Sequence, residues 1–127
     1  MPVIHQKLIS REDLKANPTV LYLFGDNLKR YGLGGQAGAM RGEVNAVGIA
    51  TKKGPSMRVS SFFTDDEYDA NFAVFVADLY RVVKHLQVGG TVIIPLDGLG
   101  TGLSELPTRA PLTNLALLEF LHQLEEI

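Results

Sequence analysis

Two glycine clusters are the residues of this chain best suited to chemistry. Gly32, Gly34, Gly35 and Gly38 fall within seven residues, and Gly98, Gly100 and Gly102 alternate further along. Glycine lets backbone amides approach a ligand closely and reach conformations that other residues avoid. A helix that begins inside such a segment adds free N–H groups and a partial positive charge, and together these make a phosphate cradle. Six basic residues lie near the first cluster, from Lys29 and Arg30 through Arg41, Lys52 and Lys53 to Arg58, with one acid, Glu43, among them. Charge patterning alone reads that window equally as a solvated face or as a local anion site. The glycines favour the anion site, while tight turns remain the plain alternative for both clusters.

Named motifs narrow the chemistry. A Walker loop closes on Gly-Lys-Ser/Thr, which does not occur. Gly32, Gly34 and Ala37 match a dinucleotide fingerprint in spacing. However, Gly25 to Tyr31 separate them from the preceding strand, and the acid expected at the end of the next strand is missing. There is no Gly-x-Ser-x-Gly elbow and no cysteine nucleophile. His5, His85 and His122 are far apart, so neither a metal nor a cofactor is expected.

The elements that must position these loops follow from periodicity. Ser10 caps a short helix with acids in its first turn. Thr19 to Phe24, Asn45 to Thr51 and Thr91 to Leu96 are apolar, β-rich runs and read as buried strands. A helix starts inside the first glycine segment, and residues 52–61 form a loop. From Asp65 to Gln87, apolar residues recur at three- and four-residue steps and Gly89-Gly90 ends the helix. The last helix runs from about Pro111 to Glu125. Strands alternating with helices predict an α/β sheet covered on both faces, with both glycine loops after strand ends, where α/β sheets bind ligands.

Bulk properties exclude several classes. With 127 residues, 46% hydrophobic and 20% charged, the chain is ordinary for one globular domain. A net charge of -2 disfavours a protein that coats duplex DNA. The absence of cysteine removes disulfides and thiolate metal sites. The opening MPVIHQKLIS lacks a signal-peptide core, and no run approaches a membrane span. A cytoplasmic location away from membranes is expected.

Four short segments in order resemble the macrodomain family, in particular the small terminal ADP-ribose glycohydrolase type. They are Gly25-Asp26-Asn27, the run Gly32-Leu33-Gly34-Gly35-Gln36-Ala37, the strand ending Ile49-Ala50-Thr51-Lys52-Lys53, and Pro95 to Leu103. The resemblance implies one macrodomain-like domain over residues 1–127, a three-layer α/β/α fold with a mixed sheet flanked by helices. It implies ADP-ribose or a related nucleotide as ligand, on its own or carried by an ADP-ribosylated protein or nucleic acid. Asp26, beside Asn27, would accept from the adenine amino group. Gly32, Gly34, Gly35 and Gln36 would form the first phosphate loop, and Gly98, Gly100, Thr101, Gly102 and Leu103 the second. Phe62 or Phe63 would either stack on the ligand or pack in the core. Lys52 falls where the glycohydrolases carry the amine that attacks the anomeric carbon. The match departs at Ser104, where they carry a catalytic aspartate, and this leaves Asp97 and Glu105 as the carboxylates that could replace it.

Three other functions remain beside this reading. One is a non-enzymatic binder of a nucleotide metabolite or signal, with Lys52 and Arg41 as charge partners. Another is a single-stranded nucleic-acid module built on the Lys29–Arg58 window and the two phenylalanines. The last is an assembly protein with no small ligand.

Overall fold

The computed structural model describes residues 2–127. The order is β1 (Val3–Gln6), α1 (Arg11–Ala16), β2 (Leu21–Asn27), α2 (Ala37–Met40), β3 (Ala46–Lys52), α3 (Tyr68–Gln87), β4 (Val92–Pro95), α4 (Leu106–Arg109) and α5 (Pro111–Leu124). The four strands form one sheet in the order β1-β4-β2-β3. Every pairing in it is parallel, which corrects the expected mixed sheet. An isolated bridge between Lys52 and Phe62, outside the ladder of named strands, is antiparallel. All connections between neighbouring strands pass through helical segments, and such crossovers keep strands parallel.

Side chains alternate across the sheet. Leu21 and Leu23 of β2, Val47 and Ile49 of β3, and Val92 and Ile94 of β4 join one apolar cluster with α3 and α5. Tyr22, Phe24 and Ile93 point the other way and pack with Leu14 of α1 and with Ala37 and Met40 of α2. Burial on both faces is why these strands read as continuous apolar runs. α3 buries Phe75, Leu79, Val82 and Leu86 along one stripe, each contributing about 1.5–3 kcal/mol on burial.

The helix ends are set locally. In α1 the Asp13 N–H donates to Ser10 Oγ at 3.2 Å, and the Ser10 N–H donates to Asp13 Oδ2 at 2.9 Å, completing a capping box. α3 stops where Gly89 turns left-handed at φ 87°. The Gly90 N–H then returns to the His85 carbonyl at 2.9 Å. α5 starts without a side-chain cap from Ala110. Asp65, 47 residues earlier, supplies one instead, accepting from the Leu112 N–H at 3.0 Å and the Thr113 N–H at 2.9 Å.

β1 was not anticipated. Of its residues VIHQ only Val3 is buried, so the strand has too little apolar alternation to be seen locally. α4 was not anticipated either.

Candidate functional site

The carboxyl ends of β2, β3 and β4 open onto the segments at 28–36, 53–61 and 96–105. Between the first and third of these lie two small adjoining cavities. One, of about 80 Å³, is lined by Asp26, Asn27, Tyr31, Arg41, Lys52 and Pro55, among others. The other, of about 100 Å³, is lined by Gly35, Gln36, Gly100, Thr101 and Gly102. Gly25, Gly34, Leu103 and Ser104 line both. The two glycine clusters, more than sixty residues apart in sequence, therefore face each other across one cleft.

Gln36 holds that cleft together. Its Oε1 accepts from the Gly25 N–H at 2.8 Å and its Nε2 donates to the Gly98 carbonyl at 2.9 Å. Both ends of the amide are thus engaged in tying the end of β2 to the second loop. Close approach explains Gly100: a Cβ there would lie 3.1 Å from Leu106 and 3.2 Å from Thr51, and its φ is +78°. Gly32, at φ +103°, packs a vacant Cβ position 3.2 Å from Pro55.

Asp26 sits at a register shift in the β2–β3 ladder, a common way to re-aim a side chain beside a site. Its carboxylate is buried and bound on several sides. Oδ1 accepts from the Asn27 N–H at 2.8 Å and from Arg41 Nη2 at 2.5 Å. Oδ2 accepts from Arg41 Nη1 at 3.3 Å, with Arg30 Nη1 at 3.6 Å. Arg41 also donates from Nε to the Gly32 carbonyl at 2.8 Å. The Asp26–Arg41 pair is therefore a brace for the first glycine loop. Asp26 lines the same small cavity as Lys52. Asn27 closes the following turn, accepting from the Lys29 N–H at 3.0 Å and donating to the Tyr31 carbonyl at 2.9 Å.

Lys52 is 5% exposed. Its Nζ donates to the Ser56 carbonyl at 2.9 Å and lies 4.5 Å from the centre of the Phe62 ring. Burial lowers its pKa from the ordinary lysine value; the Glu105 charge works upward against this and Arg109 works downward with it. A lowered pKa leaves more of the amine neutral at a given pH, as a nucleophile requires.

The two carboxylates expected to assist Lys52 line neither cavity. Asp97 is exposed, and it is its backbone carbonyl that binds Thr101 Oγ1 at 2.8 Å. Glu105 accepts from Arg109 Nε at 3.0 Å. Ser104 does reach the cleft, where its hydroxyl pairs with Thr51 Oγ1 at 2.6 Å. Phe62 and Phe63 are each 1% exposed, so of the two roles expected for them burial favours packing in the interior over stacking on a ligand. Arg109 covers Phe62 at 3.8 Å from its ring centre.

Of the basic window, Arg41 and Lys52 reach the cleft and the others do not. Arg30 is held by Asp78 Oδ1 at 2.7 Å, and Lys53 pairs with Glu67. Tyr31 and Pro55 are wall residues that sequence reasoning missed; an aromatic and a proline in loops carry no local signal of a site. A roomier groove of about 580 Å³ runs between α3 and α5; its lining is mainly apolar, with Phe72, Leu112, Leu115 and Phe120, and its polar groups Glu119 and Gln123 bond to each other. Among the described residues, no group of three or more histidines and carboxylates could hold a metal ion. No helix among the described residues is long and apolar enough to cross a membrane.

The family described as "Family of unknown function (DUF7831)" matches residues 4–120. No curated protein and no solved structure matches the chain.

Proposed function

The chain belongs to the DUF7831 family, a family of unknown function, and we propose that its cleft binds the phosphates of a nucleotide-like ligand, ADP-ribose or a close relative, on a macrodomain-like three-layer fold. The observation that carries this reading is the convergence of two glycine loops on one cleft at the carboxyl ends of parallel strands, with Gln36 bonded to both sides. Such a cleft offers backbone N–H groups to anionic oxygens. Arg41 and Lys52 add guanidinium and amine donors in the adjoining cavity, with the Arg41 charge balanced by Asp26.

Binding stands ahead of hydrolysis in this proposal. Lys52 is the one candidate nucleophile, and its burial favours the neutral amine. Asp26, which lines the cavity with Lys52, is already paired with Arg41; Glu105, whose charge acts on Lys52, and Asp97 lie outside the lining of the cavities. If Lys52 does attack an anomeric carbon, Lys52→Ala abolishes release of ADP-ribose from a modified protein while binding survives.

Calorimetric titration with ADP-ribose, with ADP and AMP as controls, tests the proposal. Micromolar binding, about -8 kcal/mol, is expected. Gly102 provides the matched control, because a Cβ there meets nothing within 4 Å. Gly102→Val should fold normally and obstruct the cavity, weakening ADP-ribose at least about tenfold. No heat from the wild type with ADP-ribose, or equal affinity in the variant, overturns the reading.

A further inference from the structure

The cleft is divided, and the wall that divides it is a side chain. Neither cavity approaches the roughly 300 Å³ at the lower end of ordinary ligand sites; they measure about 80 and 100 Å³. The two have different chemistry. The first is charged, with Arg41, Asp26 and Lys52 in its lining. The second is lined by glycines together with Gln36, Thr101, Leu103 and Ser104 and carries no charged side chain. A ligand confined to one cavity meets only one of these environments.

Four residues are common to both cavities, and three of them are immobile walls. Gly25 belongs to β2, and its N–H is bound by Gln36. Gly34 has no side chain to move. Ser104 Oγ is tethered at 2.6 Å to Thr51, which is fully buried. Leu103 is different. Its side chain reaches across the cleft from the second loop, so that a methyl group added to Gly34 would lie 3.0 Å from Leu103 Cδ1. At the same time Leu103 is 54% exposed and stands outside both core clusters. A half-exposed leucine changes rotamer readily.

We propose that Leu103 is the movable partition of the cleft. With its side chain against Gly34, the site offers two compact compartments; with the side chain turned out, it offers one continuous trough from the glycine cradle to Lys52. Leu103 thereby sets ligand length. Compact anions that fill one compartment bind without moving it, whereas ligands that carry a second polar unit beyond their phosphates, as a diphosphate-linked sugar does, bind only the open form. Gly34 belongs to the same device, because any side chain there would displace the leucine from its resting contact. This inference rests on the proposed phosphate-binding role of the cleft.

Two probes and one variant test it. Pyrophosphate stands for the compact anion and ADP-ribose for the spanning ligand. Both are titrated into the wild type and Leu103→Ala, with thermal melts to confirm that both proteins are folded. The apparent affinity of a spanning ligand is reduced by the fraction of protein in the open form. With the open form a minor state of about one tenth, Leu103→Ala should bind ADP-ribose about tenfold more tightly. Pyrophosphate affinity should change by much less than ADP-ribose affinity. If ADP-ribose binds the two proteins equally, or binds the variant more weakly, the partition is refuted while the cleft remains a binding site. If Leu103→Ala tightens pyrophosphate as much as ADP-ribose, Leu103 is a general obstruction and its role in ligand length is refuted. If folded wild type and variant bind neither probe, the binding role of the cleft fails and the partition fails with it.

Discussion

Gly48 lies directly against Asp26: a Cβ built on Gly48 would stand 2.3 Å from Asp26 Oδ2. β3 thus carries a glycine where the braced carboxylate presses on the neighbouring strand. Gly48→Ala should push Asp26 off Arg41 and leave a buried charge poorly paired, costing about 2–3 kcal/mol. Urea unfolding measures this. A loss below about 0.5 kcal/mol would mean that the carboxylate does not rest on β3.

Gln36 is a tie with two distinguishable ends. Gln36→Glu keeps an acceptor for the Gly25 N–H but replaces the donor to the Gly98 carbonyl. The second glycine loop alone should loosen, at a cost of about 1–3 kcal/mol. Amide hydrogen exchange should accelerate through residues 98–104 and stay slow at Gly25. Unchanged exchange through residues 98–104 would show that the two loops are not joined through this side chain.

Asp65 caps α5 from a distance and its stabilisation depends on pH. Burial raises its pKa, but hydrogen bonds from the Leu112 and Thr113 backbone and the Thr113 hydroxyl outweigh this and hold it below 3.8. The folded value lies under the unfolded one. The stabilisation is therefore complete above about pH 4 and is lost as pH falls through the folded value. Asp65→Ala should cost about 1 kcal/mol at pH 7. Denaturation at pH 7 and in strong acid should show the gap between wild type and variant closing, and a gap that persists unchanged in acid contradicts this account.

Lys52 gives the opposite dependence on pH. Its folded pKa lies below the unfolded value of 10.5 because burial penalises the ammonium form. Between those two values the unfolded chain binds more protons, so stability rises with pH across that window. Guanidinium midpoints at pH 7 and pH 10 should move in favour of the wild type relative to Lys52→Met. No relative movement, or movement in favour of the variant, would place Lys52 in water.

The residues legible beforehand were those whose roles are local. The stripe from Phe75 to Leu86, the glycines that end α3 and the runs that became β2, β3 and β4 were visible because helices and strands impose short periods on their own residues. The glycine loops were visible for a similar reason, since backbone conformation there demands a residue type. β1 was hidden because one buried valine in four residues makes no pattern. The mixed sheet gave way to a parallel one because strand direction depends on how connections cross the sheet, which no single strand records.

By itself the amino-acid sequence determined that strands and helices alternate, that two glycine-rich loops follow strand ends, and that Lys52 stands at the end of a strand beside them. Only the tertiary structure decided what each of those groups touches. It paired Asp26 with Arg41. It turned Phe62 and Phe63 into the interior, drew Gln36 between the two loops, and laid Leu103 across Gly34. The physical reason is range. Backbone hydrogen bonding and side-chain periodicity act over a few residues, whereas each of these four outcomes depends on a register or a packing direction set between segments that meet only when the sheet is assembled.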